Sequence, residues 1–202
     1  MGVDVKSAAR VDGRTARSAR TKLAVIDALL ALMEEGELRP TAPRIAERAG
    51  VSLRTVFQHF SDLDTLFMEA AKRHFALNLE VHKTVPRELP PADRIDAFAA
   101  QRCRMYEAVA PVRFAAEIND AFSSEGAQVL DLARRAYRSE IQWLFGEELD
   151  VLDDDARRAS VDAVDAATSF AAWLHQRWHL GHANERVTAS MSLALHRILL
   201  PS

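Results

Sequence analysis

The 202-residue chain has a single cysteine, so it can close no internal disulfide. Nothing in that count points to export, and zinc frameworks built on paired cysteines are excluded. Glycine is scarce too: the seven glycines stand at 2, 13, 36, 50, 126, 146 and 181, no two within ten residues of each other. This excludes G-x-G-x-x-G, the P-loop and the G-x-S-x-G nucleophile elbow, because each needs closely spaced glycines to bring backbone near phosphate or to strain a turn. No run approaches the ~18 consecutive apolar residues of a membrane span. The first residues carry Asp and Arg where a signal peptide needs an apolar stretch, so a cytoplasmic protein with no membrane partner is expected. Strict period-2 alternation bounded by turn residues is also missing, and no strand is predicted. Net charge is small, −3 from 26 Lys/Arg and 29 Asp/Glu, a balance that at first speaks against nucleic acid as partner.

What is present favours helix. Alanine reaches 35 residues and arginine outnumbers lysine 22 to 4, while apolar residues recur three and four apart along nearly the whole chain. The expected fold class is all-α, with enough chain to bury roughly 70% of its unfolded surface without staples. A first helix is predicted from about Thr15 to Glu35, with Leu23, Ile26, Leu30 and Met33 on one stripe and Gly36 as its stop. Thr41 offers an N-cap hydroxyl to a short helix, Ala42 to Ala49, with Pro43 in its first turn. Gly50 can take a positive φ, and Ser52 caps a third helix reaching about His59. Ser61 is expected to cap a helix from Asp62 to about His82, roughly 30 Å long. Breakers cluster from Thr84 to Pro91. Helices of about Ala92 to Val109, Pro111 to Phe122, Glu125 to Leu149, Asp154 to Leu180 and Asn184 to Leu200 follow, with breaks at Pro111 and Gly126.

Two short helices joined by a Gly-containing turn form a helix-turn-helix candidate. Ile45, Ala46 and Ala49 line the inner face of its first helix, Val51 plugs the turn, and Val56 and Phe60 face inward from its second. That leaves Ser52, Leu53, Arg54 and Thr55 projecting outward, with Gln58 and His59 beside them, on the face that such a motif lays in the major groove. Arg54 is the best base reader, since its planar fork can donate twice to guanine O6 and N7. Thr55 suits a thymine methyl or a phosphate, and Leu53 offers apolar contact alone. Taken by pattern only, a Gly-linked helix pair equally suits a helical enzyme or a protein-interaction module.

Thr41 to Phe60 reads TAPRIAERAGVSLRTVFQHF. In register from Ala28 to Leu66 the sequence resembles the TetR (tetracycline-repressor-like) family of transcriptional regulators. The resemblance rests on Leu32, Met33 and Gly36, then Thr41, Ile45-Ala46, Ala49-Gly50-Val51-Ser52, Thr55-Val56-Phe57, His59-Phe60 and Leu66. It implies an N-terminal three-helix unit joined by a long helix to a C-terminal ligand-binding and dimerisation bundle. By number these are a basic, flexible arm at 1–16, a DNA-binding domain at 17–64 and an effector-binding and dimerisation domain at 65–202. The implied protein is a homodimeric repressor, not an enzyme, that binds palindromic double-stranded operator DNA and is released by a small-molecule effector. DNA contacts would fall on Lys22, Thr41, Arg44, Arg48 and Ser52, and on Leu53, Arg54, Thr55, Phe57, Gln58 and His59. Two positions depart from the family: Phe57 stands where Tyr is common, and Leu63 where Lys is common. Each lost phosphate contact should flatten the salt dependence of binding by about one counterion. Lys22, Arg44, Arg48 and the segment Arg10, Arg14, Arg17 and Arg20 could compensate, that segment as a minor-groove arm or only as a solubilising tail.

In the larger domain, Ala163, Ala166, Ala167, Ala171 and Ala172 form a small-residue stripe. Val187, Met191, Ala194, Leu195 and Ile198 recur at three or four. Two such helices per subunit would close a four-helix dimer interface, or else an ordinary internal core. Effector candidates combine aromatic bulk with isolated polar groups: Phe98, Arg102, Met105 and Tyr106; Phe114 and Ile118; Tyr137, Ile141 and Leu144; Phe170, Trp173, Leu174 and Arg177. Arg102 and Tyr106 stand out, since a buried Arg wants an anionic partner, and the expected effector is lipophilic or aromatic. His175, His179 and His182 could gather round a metal, but histidines near a helix C-terminus are favoured electrostatically, and no metal or cofactor is expected. Cys103, between Arg102 and Arg104, is either an oxidant-sensing thiol or a buried, inert one. Charge is unevenly spread: residues 1–60 hold ten Lys/Arg and seven Asp/Glu, net +3, and 61–202 hold sixteen and twenty-two, net −6. The modestly basic end is the one suited to approach DNA.

Overall fold

The computed structural model describes the backbone of residues 5–120 and 124–200 and the side chains of residues 15–115 and 131–200. Its elements are α1 (Val5–Glu34), α2 (Ala42–Ala49), α3 (Leu53–His59), α4 (Leu63–Leu77), a 3-10 turn at Leu79–His82, α5 (Pro91–Asp120) and α6 (Ser124–Leu144). They continue with α7 (Gly146–Asp150), α8 (Asp154–Ala167), α9 (Phe170–Leu174), a π-helical turn at His175–His179 and α10 (Asn184–Leu199). Among the described residues there is no strand, as the missing alternation implied. The chain divides into two compact units, 1–77 with 111–127, and 78–110 with 128–202. The N-terminal unit thus takes in all of α4 and the end of α5, where the expected division lay after residue 64.

In the first unit, Ile26, Leu29, Leu30, Leu32 and Met33 of α1 pack with Ile45, Val56, Phe60, Leu66 and Ala70 and with Val112 and Ala115 of α5. Leu23, expected on the same stripe, is 42% exposed. Helix α1 starts at Val5 rather than near Thr15: with only Gly13 to weaken it, the Ala- and Arg-rich segment winds on through most of the expected flexible arm. The side chains of Arg10 and Arg14 lie outside the described ones. Asp62, not Ser61, caps α4, accepting the Thr65 N–H at 2.7 Å, while the Ser61 hydroxyl donates to the Asp62 carboxylate. Helix α4 stops at Leu77, where Asn78 leaves helical geometry (φ −112°, ψ 24°) and the next turn tightens. Its 15 residues span about 22 Å, shorter than the helix to His82 that the periodicity suggested.

His74 of α4 is buried, and burial holds its pKa below the ordinary histidine value, with Glu34 pulling weakly the other way. An unfolded histidine takes up a proton as pH falls below about 6.5, whereas the buried one resists. The stabilisation from neutral His74 is therefore complete above that pH and is lost as pH falls towards the folded pKa. We expect the Tm to decline as pH falls below about 6.5, by about 2–4 °C per kcal/mol lost, and His74→Gln to flatten that slope. An unchanged slope in the variant would place the decline elsewhere. The carboxylates of Asp62, Glu69 and Asp96 act separately, in the more acidic carboxylate range. Bonds from the Thr65 N–H, Lys72 and Ser192 respectively hold their pKa values low.

In the second unit, Ile95, Phe98 and Met105 of α5, Ile141 and Leu144 of α6, Val161 and Val164 of α8 and Val187, Met191 and Leu195 of α10 are buried. Three expected boundaries differ. Pro111 does not break α5; the hydrogen bond it forgoes is outweighed by flanking burial of Ala110, Val112 and Ala115. Gly126 lies within α6, and the break comes instead at Phe145 (φ −109°, ψ 24°), whose ring is fully buried edge-on against Phe98 at 5.4 Å. The helix expected from Asp154 to Leu180 is interrupted at Thr168 and Ser169. The Thr168 carbonyl turns to accept the Tyr106 hydroxyl at 2.8 Å, and Ser169 starts a new helix by accepting the Ala172 N–H at 3.1 Å.

Candidate nucleic-acid interface and buried aromatic core

Local chemistry sets the α2–α3 motif. Thr41 is extended (φ −78°, ψ 155°) and its hydroxyl accepts the Arg44 N–H at 3.4 Å. Gly50 closes α2 in the left-handed region at φ 66°, sending its N–H back to the carbonyls of Ala46 and Glu47; a Cβ is disfavoured at that φ. Ser52 caps α3, its Oγ accepting the Thr55 N–H at 3.1 Å and lying 2.8 Å from the Thr55 hydroxyl. Val56 and Phe60 point inward, 1% and 2% exposed, so α3 turns Leu53, Arg54, Phe57 and Gln58 outward. Thr55 and His59 are half-buried. His59 borders a groove of about 380 Å³ with Thr15, Ser18, Ala19 and Lys22 of α1.

The expected cationic contacts divide sharply. Arg44 donates to Glu47 at 2.9 Å and to Glu37 at 3.4 Å, bonds that raise its pKa, the Glu47 bond most. Arg48 is paired with Glu35 across 13 residues of chain. Lys22 reaches Glu69 at 3.0 Å and stands 5.7 Å from the Phe60 ring centroid. Arg54 is exposed and has no carboxylate partner among the described residues. A phosphate engaging Arg44, Arg48 or Lys22 must compete with a carboxylate already paired there, whereas Arg54 faces no such competition among the described residues. Leu63 is half-buried against the first unit's core, which accounts for an apolar residue there.

The effector candidates fall into three groups. Arg102 is 1% exposed and donates to Glu140 Oε2 at 2.6 Å. Its guanidinium lies 4.6 Å from the Phe98 ring and 4.5 Å from that of Tyr137, with the Met105 sulfur at 3.9 Å. The anion that a buried arginine requires is thus supplied from within, and Ile141 and Leu144 are buried on the same helix as Glu140. Tyr106, Phe170 and Trp173 form a second cluster, with centroids 5.4, 5.6 and 5.9 Å apart and the Trp173 Nε1–H donated to Asn184 at 3.1 Å. Leu174 is half-buried, and Arg177 makes a two-pronged pair with Glu107 at 2.7 and 3.0 Å. Phe114 and Ile118 belong to the other unit, and the Ile118 side chain lies outside the described ones.

A groove of about 520 Å³ lies in the second unit between residues 80–86 and α5, with Gln101 and Arg104 on its wall. Another of about 440 Å³ separates α5 from α10, bordered by Asp96, Arg104 and Ser192. None of these residues was singled out from sequence as lining a pocket: Arg104 was named only as a neighbour of Cys103, and Gln101 has no motif to mark it. Cys103 is fully buried and burial raises its pKa, so it lacks the lowered pKa of an oxidant sensor. Among the described residues no group of three or more His, Cys, Asp or Glu side chains could hold a metal, and none of their helices is long and apolar enough to cross a membrane.

Two solved structures share this all-α architecture. A crystal structure of a transcriptional regulator from Rhodococcus sp. Rha1 aligns with a TM-score of 0.67 and 20% identity, over 90% of this chain and 95% of that one. A provisionally assigned TetR-family transcriptional regulator from Mesorhizobium loti aligns with a TM-score of 0.58 and 17% identity, over 91% of this chain and 96% of its own. No protein-family model and no curated protein matches the sequence. At such identities the likeness is one of fold, and the TetR-like all-α fold is what it establishes.

Proposed function

We propose that the chain is a ligand-responsive transcriptional repressor of the TetR family, a homodimer that grips palindromic operator DNA with α2 and α3 and lets go when a small molecule binds the C-terminal bundle. The carrying observation is Arg54: an unpaired guanidinium at the front of an outward-facing helix whose inner face and both ends are fixed by packing and caps. Two copies would place their α3 helices in major grooves about one turn, roughly 34 Å, apart. Dimerisation is supported by the outer faces of α8 and α10, where Ala163 and Ala166 are exposed and Leu193 is 60% exposed, while Val187, Met191 and Leu195 fill the protomer's own core. Effector binding would alter the spacing of the recognition helices, with a coupling of about 1–3 kcal/mol. The test is a gel shift and footprint on DNA upstream of the protein's own gene, with selection from random duplexes alongside. A protected palindrome is expected. Failure to shift any duplex at low salt would sink the reading.

A further inference from the structure

We propose that His175 and His179 form a site for a divalent transition-metal ion of the zinc, nickel or copper class. Their Nδ1 atoms face each other at 3.4 Å, with the rings nearly perpendicular at 72°. An imidazole–metal bond of roughly 2.0–2.1 Å and a tetrahedral angle require two ligand nitrogens to lie about 3.3–3.4 Å apart. Without metal, one tautomer lets the pair share a proton across this distance; the same spacing suits a shared ion.

The backbone sets the spacing of the pair. His175–His179 is wound as a π turn that ends the helix begun by α9, just before Gly181, with the Leu180 N–H reaching the His175 carbonyl five residues back at 3.0 Å. Both side chains are exposed, so an ion can enter without opening the core, and imidazole is a good donor for this class of metal. His182, three residues further along, is half-buried and assembles no three-residue group with them. The ion would therefore hold two imidazoles, with water in its remaining positions.

The full-length chain, stripped with chelator and carrying no histidine tag, is titrated calorimetrically with Zn²⁺ and, in parallel, with Ni²⁺. One saturable site per chain is expected. Either His175→Ala or His179→Ala should weaken it about tenfold or more, and His182→Ala should leave it unchanged, with helical circular dichroism confirming that each variant folds. Absence of saturable binding, or binding indifferent to the His175→Ala/His179→Ala double change, overturns the site. The readout involves no DNA, so its failure leaves the repressor reading untouched.

Discussion

Glu140→Ala should destabilise the second unit by about 3–5 kcal/mol, the usual loss when one member of a buried ion pair is removed. Arg102 is 1% exposed and sandwiched between Phe98 and Tyr137, and its Nη2 donates to Glu140 at 2.6 Å. Without that carboxylate a full positive charge stays buried, faced only by ring faces and the Met105 sulfur at 3.9 Å. Those partners soften the loss of the anion but do not replace it. The paired change Arg102→Met with Glu140→Leu should recover most of the stability, because apolar groups of similar volume avoid the desolvation penalty altogether. Urea unfolding of the two single variants and the double variant closes a mutant cycle. A loss below about 1 kcal/mol for Glu140→Ala would show the pair to behave as a solvated surface bridge. The same geometry bears on the proposed effector: a carboxylate-bearing ligand aimed at Arg102 must displace Glu140 and leave it a new partner.

Arg54→Ala should cost about 1–3 kcal/mol of operator affinity and relax sequence preference at one position per half-site, as expected for loss of a two-pronged contact to guanine. Selection of binding sites from random duplexes measures both effects. Should affinity fall equally for all sequences while preference is kept, Arg54 is a phosphate contact instead. Arg48→Ala provides the contrast. Its guanidinium is already satisfied by Glu35, so its net gain on meeting phosphate is smaller, and removing it should change affinity less than removing Arg54.

The sequence was most legible where structure is decided within one turn of chain. Thr41, Gly50 and Ser52 each act on neighbours three or four residues away, and α2 and α3 fall where those residues put them. Beyond the motif, boundaries depend on partners far off in sequence. The break at Thr168 exists because Tyr106, 62 residues earlier, claims a carbonyl, and periodicity reads straight through it. Pro111 has the reverse history: a local breaker is overruled by burial on either side. The same distinction runs through the candidate sites. Arg54 could be picked out as outward-facing from the pattern alone, but nothing in the pattern revealed that Glu35 and Glu37 would occupy Arg48 and Arg44. Arg102 was recognised as needing an anion, and the supplier, Glu140, is 38 residues away on another helix.

The lone thiol has a use that follows from its burial. Cys103 lies wholly inside the second unit, on α5 and close to Thr188 of α10. An alkylating reagent can reach it only in moments when those helices separate, and no other sulfhydryl competes. The rate of its modification is therefore a built-in clock of breathing at that seam, readable on the unaltered protein before and after a ligand is added.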